Sequence, residues 1–251
     1  MSCPLVPTKW LFVREFFIYS TFEGNVPHRG YVRFKIPTAK LALAKFRKIF
    51  QGQTYNMTEK KLDGMRVAIL ATNGVEQAEL TEPRKALDEA GARTTLISIK
   101  PGKIKGMQHD QLADQFDVDM VLDEADPEEF DAVLLPGGAL NADALRVENT
   151  AQEFVRYMDD SGKPIAVICH APWLLVSAGL VDARTLTSYH TIEDDIRNAG
   201  GNWMDKEVIR DQNWVSSRQP SDIPVFNREM ISLFSEQKRK KAETPAAQQV
   251  A

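Results

Sequence analysis

The sequence predicts an α/β fold in which a mainly parallel sheet carries helices on both faces. Two observations lead to this fold class. Near-continuous apolar runs of strand length recur along residues 65–237, and amphipathic helical segments separate them. Strands that are apolar on both sides are typical of a parallel sheet, because its crossover helices cover both of its faces.

Glycine and proline residues divide this pattern into separate elements. The predicted strands are short apolar runs: 66–71, 94–99, 117–122 (alternating, hence an edge strand), 131–135 and 165–168. The predicted helices begin or end at proline, glycine or a capping residue: 78–90, 126–130, 149–160, 193–199 and 221–236. Residues 207–217 are predicted as a hairpin between the last two helices.

Composition narrows the class of protein. A length of 251 residues and a hydrophobic fraction of 43% are typical of a globular protein with a sizeable core. The two cysteines, Cys3 and Cys169, are too few for a disulfide framework, which favours a reducing, cytoplasmic setting. No run of about 18 uninterrupted apolar residues occurs, so no membrane-spanning helix is predicted.

Charge divides the chain into two parts. Residues 1–56 carry a balance of +7 and residues 57–251 a balance of −11. The acidic part lacks the basic face that nucleic acid would need. We expect residues 1–56 to be a basic N-terminal extension. This segment is expected either to be disordered or not to be translated, because translation would begin at Met57. Residues 40–50 would also suit a basic amphipathic helix. Residues 57–237 are expected to form the main domain and 238–251 a disordered tail.

The most informative stretch is the end of the strand at residues 165–168. Cys169 ends the apolar run, and His170 follows at once. Ala171-Pro172 suits the first turn of a helix, since proline lacks only an N–H that would be unpaired there. Cys169 is therefore expected at a sharp strand-to-helix turn, where a helix N-terminus favours the nucleophilic thiolate. A lone cysteine is more often a small buried hydrophobic residue, so other features must decide.

Two other loops follow buried strands at the same edge of the predicted sheet. One contains Asn73-Gly74 and Glu76, and the other contains Gly137-Gly138. Ligands bind beyond the carboxyl ends of the strands in such sheets, so these loops and Cys169 are expected to form one crevice. The N–H groups of Gly138 and His170 are candidate donors to a substrate oxyanion. A Glu76 carboxyl near the sulfur would hydrogen-bond to it when protonated and repel the thiolate when ionised.

Ordinary structural roles compete with these assignments. Gly137-Gly138 can be a tight turn only, and Glu76 and Glu79 can merely favour a helix N-terminus. His109 is expected to be solvated, and His190 is expected either to face the crevice or to be an ordinary surface residue. The histidines and cysteines lack metal-ligand spacing and the glycine-rich phosphate loops are absent, so neither a metal nor another cofactor is predicted.

Taken together, six stretches resemble the DJ-1/PfpI superfamily, and within it the PfpI-type intracellular proteases. The matching stretches are 73–80, 134–138, 166–172, 187–189, 194–200 and 213–218. The resemblance covers residues 65–237 and implies a flavodoxin-like three-layer α/β sandwich. It also implies that Cys169 is the nucleophile on its elbow, His170 the adjacent base and Glu76 the acid that hydrogen-bonds the sulfur.

The resemblance further implies where substrate and partners bind. Gly137, Gly138 and Tyr189 would line the oxyanion and substrate site. In PfpI-type proteins an acid just after the Gly-Gly loop reaches the histidine of a neighbouring subunit. Asp143 is the nearest match, with a one-residue shift and a shorter side chain than the family's glutamate. A homo-oligomer, dimer or hexamer, is therefore implied.

Three functions remain open on the sequence. The leading one is a DJ-1/PfpI-type cysteine hydrolase, an intracellular peptidase linked to stress, in which the Cys169 thiolate attacks a carbonyl. The second, which the resemblance implies because the family also contains this chemistry, is a glyoxalase or deglycase acting on methylglyoxal or its adducts. The third is a redox-sensing stress chaperone, since exposed thiols of low pKa oxidise selectively.

Overall fold

The computed structural model describes residues 10–13, 17–20 and 60–243, with the side chains of residues 60–240. The chain divides into two compact units, residues 1–56 and 57–251. In the first unit, strands β1 (Trp10–Val13) and β2 (Phe17–Ser20) pair antiparallel. The basic segment at 40–50 and most of the predicted tail lie outside the described residues, as does Cys3.

The second unit is built on a seven-stranded sheet. Its strands in spatial order are β13 (Val208–Asp211), β14 (Trp214–Ser217), β10 (Ile165–Ile168), β9 (Ala132–Leu135), β3 (Arg66–Leu70), β5 (Arg93–Ser98) and β8 (Met120–Val121). All neighbours pair in parallel except β13 and β14. Every residue of β9 and β10 is buried, as expected for central strands of a parallel sheet.

Helices cover both faces of this sheet. They are α1 (Gln77–Glu89), α2 (Ala139–Arg146), α3 (Asn149–Asp160), α4 (Pro172–Ser177), α5 (Glu193–Asn198) and α6 (Ile223–Glu243). One apolar cluster packs Phe154 of α3 and Leu174 of α4 against the sheet, and a second packs Leu80 of α1 and Phe226 of α6. The described part of this second unit is thus a three-layer α/β sandwich.

The remaining strands form two small sheets. Strands β6 (Lys103–Gln108) and β7 (Gln111–Asp117) make an antiparallel hairpin, to which β4 (Val75–Glu76) pairs in parallel. Strands β11 (Thr185–Leu186) and β12 (Asn202–Trp203) form a parallel pair. Short 3-10 turns lie at Leu122–Glu124, Pro127–Glu129, His190–Ile192 and Pro220–Asp222.

Several element predictions need correction. The hairpin β6–β7 was missed because most of its residues are polar and exposed, which leaves no apolar period to read. Helix α2 was also missed. The edge strand predicted at 117–122 is shorter in the structure. Only Met120–Val121 (β8) pairs with the main sheet, and Asp117 belongs to β7. Helix α6 extends to Glu243, so residues 238–243, assigned to the tail, are helical.

The parallel topology brings four loops to one edge of the sheet. Strands β3, β9, β10 and β14 run in the same direction, so the loops at their carboxyl ends meet. The cluster that these four loops form is the feature of the fold that bears most directly on function.

Within residues 60–243, no helix is long and apolar enough to cross a lipid bilayer.

Candidate active site

Cys169 occupies the tight turn between β10 and α4. Its φ of 63° lies in the left-handed region, which costs a residue with a Cβ about 1 kcal/mol or more. Two backbone hydrogen bonds hold it there: its N–H donates to Ser217 O (3.1 Å), and its carbonyl accepts from Tyr189 N–H (2.9 Å). This turn directs the largely buried side chain of Cys169 into the cavity at the sheet edge.

His170 lies directly beside the sulfur. Its Nδ1 is 3.2 Å from Cys169 Sγ, and its Nε2 is 3.2 Å from Thr191 Oγ1. The ring stacks on Tyr189, with the ring centroids 4.9 Å apart. Partial burial lowers the pKa of His170, and the charge of His190 lowers it further. A neutral imidazole with Nδ1 toward a thiol is the arrangement that a general base needs.

The carboxyl at the sulfur belongs to Glu79, whereas the sequence prediction gave this position to Glu76. Glu79 lies in the first turn of α1, is fully buried and interacts with the Cys169 side chain. Its Oε2 accepts a hydrogen bond from Gly137 N–H (2.9 Å). Glu76 is the last residue of β4, and its Oε2 accepts from His109 N–H instead (3.0 Å).

The two glutamates differ in the elements that carry them. Both were candidates on the sequence, and Glu79 was considered only as a residue favouring the helix N-terminus. Glu76 ends β4 and accepts from the hairpin β6–β7, whereas Glu79 lies in the first turn of α1 and is fully buried against Gly137. These contacts join segments that are far apart in sequence, so the motif alone does not decide which acid meets the sulfur.

Burial sets the protonation of this pair. Loss of water raises the pKa of Glu79 to about 8, so its carboxyl is mostly protonated at pH 7 and can donate a hydrogen bond to the sulfur. Burial, and secondarily the charge of Glu79, raise the pKa of the Cys169 thiol, although the N–H groups of Gly138 and His170 point at the sulfur and oppose this. The sequence led us to expect a lowered thiol pKa, but here desolvation outweighs the stabilising dipoles.

Gly137 and Gly138 pack too tightly for any side chain. A Cβ on Gly137 would lie 2.6 Å from both Cys169 Cβ and Glu79 Oε2. A Cβ on Gly138, whose φ is +90°, would collide with the carbonyl oxygen of Gly74. These glycines therefore allow the backbone to approach the sulfur closely, beyond forming a turn.

The predicted residues that remain divide into two groups. Tyr189, Gly138 and Glu76 line the cavity with Cys169 and His170, whereas Asp143 is exposed on α2 and is not among the lining residues. The cavity has a volume of about 730 Å³ and opens to solvent. Sequence reasoning missed Met107, His109 and Asp110 of the β6–β7 hairpin and Gln219, Pro220 and Ser221, which also line it.

Metal binding has no support in the part of the chain that the structure describes. No group of three histidine, cysteine, aspartate or glutamate side chains there is arranged to hold a metal ion. The reactive groups that the structure places at the cavity are the thiol, the imidazole, the buried carboxyl and the two N–H donors.

Comparison with known proteins identifies the family. The model of the DJ-1/PfpI family matches residues 65–233. The chain belongs to the DJ-1/PfpI family. The match spans the whole sheet of the second unit and confirms the family predicted from the sequence.

Similar proteins support the assignment. The chain is 43% identical over 170 residues to "Deglycase TK1284" of Thermococcus kodakarensis, covering 68% of this chain and 99% of that protein. It is 36% identical over 169 residues to "Putative cysteine protease YraA" of Bacillus subtilis, covering 67% and 98%. These names agree with the prediction of an enzyme that is a cysteine hydrolase or a deglycase.

A solved structure confirms the fold class. Drosophila melanogaster DJ-1beta superposes with a TM-score of 0.62 at 24% identity, covering 72% of this chain and 99% of that chain. At this identity the likeness speaks for the fold alone. The three-layer sandwich of residues 60–243 is thus a fold that this solved structure shares.

Proposed function

We propose that this protein is a cysteine-dependent deglycase that removes methylglyoxal-type adducts from amino groups. One observation carries the proposal: Cys169 Sγ lies 3.2 Å from His170 Nδ1 in an open cavity where the N–H groups of Gly138 and His170 point at the sulfur. The relative named as a deglycase is matched over 99% of its length. The reducing setting inferred from its cysteine content makes the cytoplasm the proposed location.

The chemistry begins with attack of sulfur on the carbon of the adduct that bears the amine. The thiol proton passes to His170 Nδ1 and on to the leaving amine, so the C–S bond forms as the C–N bond breaks. A proton then moves from this carbon to the neighbouring carbonyl carbon through an enediolate, which turns the thiohemiacetal into a lactoyl thioester by internal rearrangement. The N–H groups of Gly138 and His170 are placed to donate to the oxyanions of these intermediates. Water hydrolyses the thioester to lactic acid and restores the thiol, so adduct and water give free amine and lactic acid without an outside oxidant.

Glu79 supports this step through its own proton. A carboxyl with a pKa near 8 stays neutral at pH 7, so it adds no second negative charge beside a developing thiolate. Gly137 N–H holds its Oε2, and its Oε1 is buried without a hydrogen-bond partner in the described chain, as suits a neutral carboxyl better than a carboxylate. The described lining of the cavity contains no lysine or arginine, which suits a substrate derived from an amine.

Peptide hydrolysis is the second candidate function. The same thiol, imidazole and oxyanion donors would serve attack on an amide, and the relative from Bacillus subtilis is named a putative cysteine protease. The cavity is wide and open, so a peptide could enter it. A redox-sensing role of Cys169 is a third proposal and would use the same sulfur, although burial keeps this thiol from the exposed, low-pKa state that oxidises selectively.

A side-by-side assay separates these functions. Wild-type protein should release free amine and lactate from the methylglyoxal adduct of an acetylated lysine amide faster than it cleaves a fluorogenic peptide, because a small adduct reaches the sulfur without unwinding of a chain. The activity should co-elute with the protein in size-exclusion chromatography. Faster peptide cleavage would favour the peptidase, and neither activity would overturn both enzyme proposals.

We also propose a homo-oligomer, a dimer or hexamer, in which α2 meets a second copy. Leu140 and Asp143 of this helix and Val147, the residue directly after it, lie on one face by their spacing, and Leu140 and Val147 are 65% and 71% exposed. Exposed apolar side chains around an acid suit a subunit contact. The proposal gives Asp143 a role at the histidine of a neighbouring subunit.

Asp143→Ala should lower activity about tenfold without unfolding, because a carboxylate that orients a base contributes by positioning and charge. Light scattering should find an oligomer for the wild type, and Asp143→Glu should keep most activity. Asp160→Ala, an exposed aspartate at the end of α3, is the matched control. A wild type that is a fully active monomer would contradict this prediction.

A further inference from the structure

The imidazole of His170 is held by three side chains of its own subunit. Tyr189 stacks on the ring at 4.9 Å, and Trp173 lies against it at 5.4 Å with an interplanar angle of 60°. Thr191 Oγ1 contacts the nitrogen that points away from the sulfur, Nε2, at 3.2 Å. These contacts leave the ring little freedom, because packing restrains its plane and a hydrogen bond restrains its rotation.

The segment that carries Thr191 is itself fixed to the nucleophile. Tyr189 N–H donates to the carbonyl of Cys169 (2.9 Å), and Ile192 N–H donates back to Tyr189 O (3.2 Å). Ile192, next to Thr191, is fully buried in the apolar cluster under α4 and α5. The 3-10 turn His190–Ile192 thus positions the threonine hydroxyl relative to the turn between β10 and α4 that carries Cys169.

We propose that Thr191 is a positioning residue for the reaction of Cys169, its hydroxyl accepting the Nε2–H of His170 so that Nδ1 faces the sulfur. This inference rests on the proposed function, since it concerns the base of that same site. Cys169, His170 and Thr191 all lie in one subunit, and the Asp143 proposed to come from a neighbouring subunit would approach the same imidazole from outside it.

The proton positions explain why an acceptor is needed at Nε2. To take the thiol proton, Nδ1 must be unprotonated, so the neutral ring carries its hydrogen on Nε2. After transfer, both nitrogens bear hydrogen and the ring is cationic. The Nε2–H then needs an acceptor most, and Thr191 Oγ1 is the group at that nitrogen in the described chain. A hydrogen bond from a charged donor is stronger than one from a neutral donor. The hydroxyl of Thr191 therefore stabilises the state with a thiolate and an imidazolium more than the state with a thiol and a neutral imidazole.

The charged groups around the ring are few and can be named. On the sulfur side lie Cys169 and, behind it, Glu79. His190 lies in the 3-10 turn with its ring centroid 4.6 Å from that of Tyr189, and its charge acts on the His170 ring. Beyond Trp173 lie Arg146, 5.2 Å above the indole, and Asp195, which accepts from Trp173 Nε1–H. None of these groups contacts Nε2, and within one subunit Thr191 is the group placed to receive its hydrogen.

Thr191→Val keeps the branched shape and removes the hydroxyl. We expect kcat to fall about three- to tenfold while KM stays within about twofold, as one lost hydrogen bond to a charged transition state predicts. The acid limb of the kcat/KM profile should move to lower pH, because an imidazolium without its acceptor loses its proton more easily. Thr191→Ser should restore both values.

Thr150→Val is the matched control. Thr150 Oγ1 donates to Asp123 Oδ1 in an exposed hydrogen bond, also 3.2 Å long. Thr150→Val removes this hydroxyl away from the cavity, so kcat should stay unchanged. Unchanged kcat and pH profile in Thr191→Val would overturn the inference, as would an acid limb moved to higher pH, which would mean that the hydroxyl donates to the neutral base. An inactive wild type would instead refute the proposed function, so the two failures are distinguishable.

Discussion

Cys169→Ala should reduce release of amine from the methylglyoxal adduct to the uncatalysed background, a loss of at least about a thousandfold. The reason is chemical: every step of the proposed reaction passes through the C–S bond, and the described part of the cavity lining offers no other thiol. The two N–H donors and His170 would remain, but without a nucleophile they have no oxyanion to stabilise. Initial rates over a range of substrate concentrations measure the loss.

Folding has to be separated from chemistry in this experiment. Removal of one buried sulfur leaves a small cavity, so the thermal unfolding midpoint of Cys169→Ala should stay within a few degrees of the wild type. Cys3→Ala, at the other cysteine of the chain, should keep full activity. A Cys169→Ala protein that folds and retains more than about a tenth of the rate would exclude Cys169 as the nucleophile.

The elbow could be predicted from the sequence because its signals are local. Four apolar residues followed by Cys169-His170 and a proline in the helix first turn determine a strand, a turn and a helix without reference to the rest of the chain. The loop with Gly137-Gly138 was predictable for the same reason. That these loops meet required only the rule that ligands bind at the carboxyl ends of parallel strands, and the structure places them together.

The contacts between distant segments could not be predicted in this way. Thr191 reaches His170 across 21 positions, and the β6–β7 hairpin brings His109 to Glu76 across 33. Both depend on turns whose residues show no hydrophobic period. The protonation of the site was hidden for a related reason: the raised pKa values of Glu79 and Cys169 come from burial by the whole fold, which a short motif does not report.

Burial of Glu79 should make the folded protein less stable as pH rises, and Glu79→Gln should remove this effect. The folded-state pKa of about 8 stands above the ordinary value of 4.5. Between these values the folded state binds one more proton than the unfolded chain, so the free energy of unfolding falls as pH increases. From pH 5.5 to 8.5 this carboxyl alone should cost on the order of 3 kcal/mol, measured by urea unfolding of both proteins.

Glutamine reproduces the neutral carboxyl, since its carbonyl can accept from Gly137 N–H and its amide can donate toward the sulfur. The two proteins should therefore be similar at pH 5.5, and the variant should be the more stable at pH 8.5. Cys169→Ala should keep the wild-type slope, because burial is the largest cause of the raised Glu79 pKa. Parallel stability curves for wild type and Glu79→Gln would mean that Glu79 is ionised and solvated in the folded protein. The neutral hydrogen-bond donor assigned to it beside Cys169 would then be wrong.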